Sequence, residues 1–206
     1  MEKYKIDGKL IGSTWVGSHI WKMNDENSDV DEFVIYQEPT HRILNDTANL
    51  KPKRYTNGNR DGVIYEVSHV VKQLLTGNIN FILGVMSPIV KESTTEFWEL
   101  RQIVKQNLSK CSYNSINGLV TKNYRKYIES EKDNTQKRRS QVLRILNFGI
   151  TLLEQGELVF APVENATEKQ IENKLSRLKI AYEHSVLPEK PNEQMFRDWL
   201  LKVRLS

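Results

Sequence analysis

The stretch GSHIWKMNDENSDVDEFVIY, Gly17 to Tyr36, holds a Gly-Ser pair, ten intervening residues, an Asp-Val-Asp triplet and an unbroken apolar run. Phe33 to Tyr36 is continuously apolar and is bounded by Glu38-Pro39, the pattern of a central strand buried on both faces. Residues i and i+2 of a strand point to one side, so Asp29 and Asp31 are expected to present two carboxylates together where this strand begins. Two anions so close repel. A divalent cation relieves the repulsion, and hard oxygen donors favour Mg2+ or Mn2+. The Gly17-Ser18 turn, free of bulky side chains, can bring backbone N–H groups and a hydroxyl against phosphate oxygens. A metal site and a phosphate site are therefore expected to adjoin.

Upstream, Lys9 to Val16 interleaves Leu, Ile, Trp and Val with small residues, which predicts a strand leading into the turn. Downstream, residues 40–60 carry Asn, Thr, Lys, Pro and Gly with little periodicity, which predicts a loop with a short helix. A short third strand is expected at Gly62–Tyr65. A third carboxylate would help two metal ions activate an attacking hydroxyl and stabilise departing pyrophosphate. Asp61 is the candidate, because a short strand beside the Asp29/Asp31 strand would carry it there. Glu66 competes, but it sits where the pattern is already turning helical.

Val67, Val70, Val71, Leu74 and Leu75 have the spacing of an amphipathic helix, which Gly77 and Asn78 would close. After Ser87-Pro88 the chain reads as mainly helical, with Phe97, Leu100, Ile103, Val104 and Leu108 on one face and Val142, Leu143, Leu146 and Leu153 on another. Asn192 to Leu205 supplies a last helix. The order is strands first and helices afterwards, an α+β class with a mixed sheet flanked by helices. The expected division is a core at 1–90 and a helical region at 91–206 completing a cleft.

A chain of 206 residues accommodates one packed domain with an appendage but not two large ones. No apolar run approaches the ~20 residues that span a bilayer, and the N-terminal segment lacks the apolar core of a secretory signal; a cytoplasmic location is expected. A lone cysteine, Cys111, excludes an internal disulfide and a multi-cysteine zinc site. The net charge of +4 permits a polyanionic partner, and its distribution says more. Acidic residues gather at Asn24 to Glu32, whereas Lys122, Arg125, Lys126, Lys132, Lys137, Arg138, Arg139 and Arg144 crowd a later segment near Tyr124 and Tyr127. Such a segment is usually a solvated helix face. It is also the pattern of a nucleotide or nucleic-acid contact, with Arg139 and Arg144 as candidates for paired bonds to phosphate.

Taken together, these residues resemble the nucleotidyltransferase fold of the polymerase beta superfamily, specifically its RNA-repair-pathway, polymerase-beta-like group. That family's Gly-Ser, ten residues, Asp-x-Asp pattern is met by Gly17, Ser18, Asp29 and Asp31, with Ser28 before the first aspartate. Its third aspartate, four residues before an aromatic or His at the start of a helix, is met by Asp61 and Tyr65. LLTGNINFILGVMSP, RRSQVLRILNFGITLLEQGEL and LPEKPNEQMFRDWLLKVRL resemble its later segments. Lys22, Ile79 and Leu83 depart from its pattern, and none is a candidate metal ligand. The resemblance implies a nucleotidyltransferase-type sheet and catalysis by Asp29, Asp31 and Asp61 around Mg2+ or Mn2+. It also implies nucleotide contacts from Gly17, Ser18, Ser28, Arg139 and Arg144. The donor is expected to be an NTP, ATP foremost, and the acceptor RNA.

The plainer readings are distinct. An Asp-x-Asp pair alone is most often a solvated turn. A calcium loop beginning at Asp25 is excluded, because Val30 and Tyr36 occupy the positions that need glycine and glutamate. His69, Cys111, Trp15, Trp98 and Trp199 read as packed residues, while His19 draws interest because it follows the turn. A non-catalytic nucleic-acid-binding member of the fold, and an adenylyltransferase acting on a protein or small molecule, are the alternative functions.

Overall fold

The computed structural model describes residue 4, residues 6–127 and residues 135–206. Five strands form one mixed sheet: β1 (Lys9–Trp15), β2 (Val30–Gln37), β3 (Lys53–Asn57), β4 (Arg60–Glu66) and β5 (Val90–Ser93). Their spatial order is β3-β4-β2-β1-β5. β2 is central, as its continuous apolar run requires, and Val34, Ile35 and Tyr36 are fully buried. It runs antiparallel to β1 and parallel to β4. The class is α+β, with the sheet and its helices preceding a longer helical stretch.

Two edge strands correct the sequence reading. Within residues 40–60 the short helix forms as α1 (Thr40–Leu44), but Lys53–Asn57 pairs with β4 as β3. Its residues are polar because the strand lies at the sheet edge, where little of it is covered. The hairpin closes through Gly58-Asn59, with Gly58 at φ +63, the position where a two-residue loop needs glycine. β5 interrupts the expected helical run after Pro88; four residues are too few to show a periodicity.

Two compact units emerge. The first comprises Met1–Leu75, Asn80–Asn107 and Asn192–Ser206, and the second Thr76–Ile79 and Leu108–Pro191. In the first, Tyr4, Ile6, Leu10, Val34, Tyr36 and Ile64 pack on one face of the sheet. The other face meets α2 (Val67–Leu75) and α3 (Ile79–Met86). There Phe33, Tyr65 and Phe81 interlock with ring centroids 4.8–5.5 Å apart. His69 stacks on Tyr65 at 5.7 Å, a packed histidine. The same unit holds α4 (Thr95–Gln106), whose N-terminal N–H at Phe97 is capped by Thr94, and α8 (Glu193–Leu205), capped by Asn192. Trp199 is buried and donates its indole N–H to the Glu96 carbonyl. Trp98, by contrast, is 48% exposed beside the Arg101 guanidinium, so it is not core as the sequence suggested.

In the second unit, α5 (Ser112–Tyr127), α6 (Thr135–Gln155) and α7 (Glu168–His184) pack together. Gly149 of α6 lies against Ile116 and Leu178, where a Cβ would approach Ile116 to 2.9 Å. Tyr113 and Tyr182 stack at 4.4 Å. Cys111 is partly exposed, with its sulfur 2.9 Å from the Ser109 hydroxyl.

The Lys9–Glu96 ion pair, 2.7 Å long, ties β1 to α4. Lys9, then backbone and Thr94 hydrogen bonds, draw the Glu96 carboxyl down to about 2. A depressed carboxylate contributes stability that is present above its unfolded value and lost as pH falls through the folded one. Wild type is therefore expected to lose stability relative to Lys9→Met between pH 4.5 and about 2. The half-exposed lysine keeps the difference within about 1 kcal/mol. Urea titrations of both proteins at several pH values check it.

Candidate functional site

β2 and β4 run parallel in an unbroken register, from Val30 opposite Arg60 through Asp31 opposite Asp61 to Tyr36 opposite Glu66. Paired residues share a face, as do residues i and i+2 of one strand. Asp31 and Asp61 therefore sit side by side at the N-terminal ends of adjacent strands. Asp29 stands just before β2, and all three reach solvent. Partial burial first, then the Asp61 and Asp29 carboxylates, push the Asp31 carboxyl above its ordinary range, while His19 pulls it back. Asp61 and Asp29 thus both bear on the Asp31 carboxyl.

The turn is built against this point. Val16 donates its N–H to the Asp31 carbonyl at 2.8 Å, after which Gly17 reverses the chain at φ +66. A Cβ on Gly17 would fall 2.1 Å from Asp31 Oδ2, so the glycine is required by its backbone and by its neighbour. Ser18 precedes a 3₁₀ turn, His19–Trp21, without spending its hydroxyl on a cap. Buried Ile20 and Trp21 anchor that turn. His19 Nε2 is buried without a hydrogen-bond partner, its ring 5.1 Å from that of Trp15.

Substituting Gly17 by Ala is expected to cost roughly 1–2 kcal/mol of backbone strain. If Asp31 serves catalysis, displacing its carboxylate by about an ångström would also lower turnover about 10²-fold. Gly58→Ala is the control: it carries a similar φ with nothing within 4 Å of its Cβ. Its stability should fall comparably while its turnover holds, as melting curves and rates on both variants would record.

The other candidates are placed as follows. Ser28 uses its hydroxyl inside the loop, accepting the Asp25 N–H at 2.9 Å and donating to the Asp25 carboxylate at 3.0 Å. Glu66 is fully buried, accepts N–H bonds from Glu38 and Ser68, and pairs with Arg204. It stands at the opposite end of the β2–β4 register from Asp31, so it is spent on structure. Arg139 and Arg144 lie on α6 in the second unit; Arg144 is buried, and burial holds its guanidinium down to about 10. Of the basic segment, Lys132 lies outside the described residues, as do the side chains of Arg125, Lys126 and Tyr127. β3 adds two residues beside this end of the sheet. Thr56 sits opposite Asp61, and Arg54, opposite Val63, follows on the same face.

Among the described residues, no three His, Cys, Asp or Glu side chains form a ready-made metal cage. The donor set still suits Mg2+, which is held by one or two carboxylates together with water and substrate phosphates, not by an all-protein shell. The mutual repulsion felt at Asp31 is the feature a cation would relieve. No helix among the described residues is long and apolar enough to cross a membrane.

Comparison with known proteins gives a match to the RNA repair pathway DNA polymerase beta family over residues 3–194. No curated protein matches the chain. Among solved structures it is similar to a nucleotidyltransferase-like protein from Exiguobacterium sibiricum 255-15. The two are 16% identical, with 99% of this chain and 70% of the other covered at a TM-score of 0.36.

Proposed function

The chain belongs to the RNA repair pathway DNA polymerase beta family, and from that premise we propose that it transfers a nucleoside monophosphate from an NTP, ATP foremost, to an RNA hydroxyl. The observation that carries this reading is the register of Asp31 opposite Asp61, with the Asp31 carboxyl raised by Asp61 and Asp29. Asp29, Asp31 and Asp61 would hold Mg2+ or Mn2+, which when bound neutralises charge on phosphate and on the attacking oxygen. Gly17 brings the turn against Asp31, beside which the triphosphate would lie. The Ser18 hydroxyl and neighbouring N–H groups bind its oxygens. The acceptor oxygen forms a bond to the α-phosphorus as the bond to the bridging oxygen breaks. Pyrophosphate departs, and the acceptor proton passes to solvent.

Incubation of the purified protein with Mg2+, each labelled triphosphate in turn, and total RNA tests donor and acceptor together. Pyrophosphate release with label in RNA is the expected result. Label in protein instead would move the acceptor class. Tight RNA binding in a gel shift, with no incorporation from any triphosphate in Mg2+ or Mn2+, would make the chain a binding module. Undiminished activity in the Asp29→Asn/Asp31→Asn double variant would remove the mechanism.

A further inference from the structure

Behind the acidic end of the sheet, on the opposite face, every strand contributes one polar side chain to a single row: Tyr55 of β3, Arg60 of β4, Glu32 of β2, Ser13 of β1 and Glu92 of β5. Glu32 is its hub, with a fully buried side chain. Tyr55 donates its hydroxyl to Glu32 Oε2, and Arg60 Nη1 lies 3.5 Å from Oε1. The Tyr4 hydroxyl stands 3.0 Å from Glu92, 3.3 Å from Ser13 and 3.4 Å from Glu32. Gly62, the register partner of both Glu32 and Tyr55, makes room for the tyrosine; a Cβ there would come within 2.2 Å of its ring.

The position of this row gives it meaning. Glu32 directly follows Asp31 and Arg60 directly precedes Asp61, so the link bridges β2 and β4 behind the two aspartates. A one-residue slip between strands would turn one of those aspartates to the wrong face. Stability alone does not call for a carboxylate here. Burying one costs several kcal/mol before its partners repay it, and a well-packed apolar residue is often neutral or better. Val34, Tyr36 and Ile64 on the same face are such residues.

We propose that Glu32 is a positioning residue, which through Arg60 and Tyr55 holds β2 and β4 so that the Asp31 and Asp61 carboxylates face one divalent cation. The inference rests on the role given above to Asp31 and Asp61. Its test is Glu32→Leu, which fills the space and removes the charge, compared with Glu32→Gln and Tyr55→Phe. Mn2+ binding followed by electron paramagnetic resonance is the readout independent of turnover.

Glu32→Leu should melt at or above the wild-type temperature, bind Mn2+ about tenfold more weakly, and turn over about 10²-fold more slowly. Its KM for the triphosphate should change less than threefold, and Glu32→Gln, which keeps an acceptor for Tyr55, should recover most of the loss. A folded Glu32→Leu with wild-type Mn2+ affinity and turnover overturns the proposal. Should Glu32→Leu not fold, Tyr55→Phe decides: several-fold weaker Mn2+ binding supports the proposal, and unchanged binding overturns it. Asp31→Asn assayed in parallel separates the two levels. If it stays active, the parent reading fails and this one with it. If it is inactive while Glu32→Leu matches wild type, only the positioning role falls.

Discussion

Asp31→Asn is expected to give a protein at least as stable as wild type that transfers nucleotide about 10³-fold more slowly, a loss of ~4 kcal/mol of transition-state stabilisation. The loss of turnover follows from the proposed role of Asp31 as an ion ligand, and the stability from one observation. The Asp31 carboxyl is raised above 3.8 by partial burial and by Asp61 and Asp29, so its ionised form is disfavoured in the folded chain. A raised carboxylate works against the fold: the penalty is full above its folded value and fades as pH falls toward the unfolded one. The variant's advantage in melting temperature should therefore be present at neutral pH and shrink as pH approaches 3.8. Added Mg2+ should reverse the order, since a ligand that binds only the native state raises its stability, and the variant would have lost an ion ligand. Melting curves against pH with and without Mg2+, alongside pyrophosphate release, measure the whole pattern. A destabilised Asp31→Asn that Mg2+ stabilises as it does wild type would contradict it.

The same residues show what a sequence discloses and what it does not. The central strand was legible because burial on both faces demands an unbroken apolar run, and Phe33 to Tyr36 supplies one. The Gly17 turn was legible because few residues other than glycine occupy its conformation. β3 was hidden, since an edge strand with polar faces, KRYTN, has neither alternation nor an apolar run to betray it. Its only mark is the Gly58-Asn59 pair, a hairpin signal that does not stand out among the other turn residues nearby. With β3 went Thr56, opposite Asp61, and Arg54, opposite Val63. The proximity of Asp61 to Asp31 depends on sheet membership, which no local pattern specifies and the parallel register supplies. The pattern turning helical at Glu66 ranked it behind Asp61, but its structural role has no local sign, because its partner, Arg204, lies 138 residues away in a helix whose sequence shows only an amphipathic face. Long-range pairing of this kind has no local signature.

That distant pair carries the largest expected effect on stability. Arg204 of α8 donates to the Glu66 carboxylate and, at 3.0 Å, to the Glu38 carbonyl. Its own carbonyl accepts from Thr40, and the neighbouring Val203 carbonyl accepts the Gln37 side-chain N–H at 2.7 Å. The Glu66 side chain has no exposure and that of Arg204 only 15%, so replacing Arg204 by Met strands a buried carboxylate without its cation. The cost of such a break is about 3–5 kcal/mol, read as a lower urea midpoint at constant slope. Because most of that cost is the unpaired charge, Arg204→Met/Glu66→Gln should regain at least half of it, a coupling that a double-mutant cycle isolates. Additive losses would mean that α8 is held by its apolar face, Phe196, Trp199 and Val203, and not by the ion pair. The placement also bears on the site. Glu66 and Tyr36 close the C-terminal end of the β2–β4 register that Asp31 and Asp61 open. The C-terminal helix therefore clamps one end of the two strands while the Glu32 row clamps the other. Loosening the far clamp should lower stability well before it touches Mn2+ affinity, whereas loosening the near one should do the reverse.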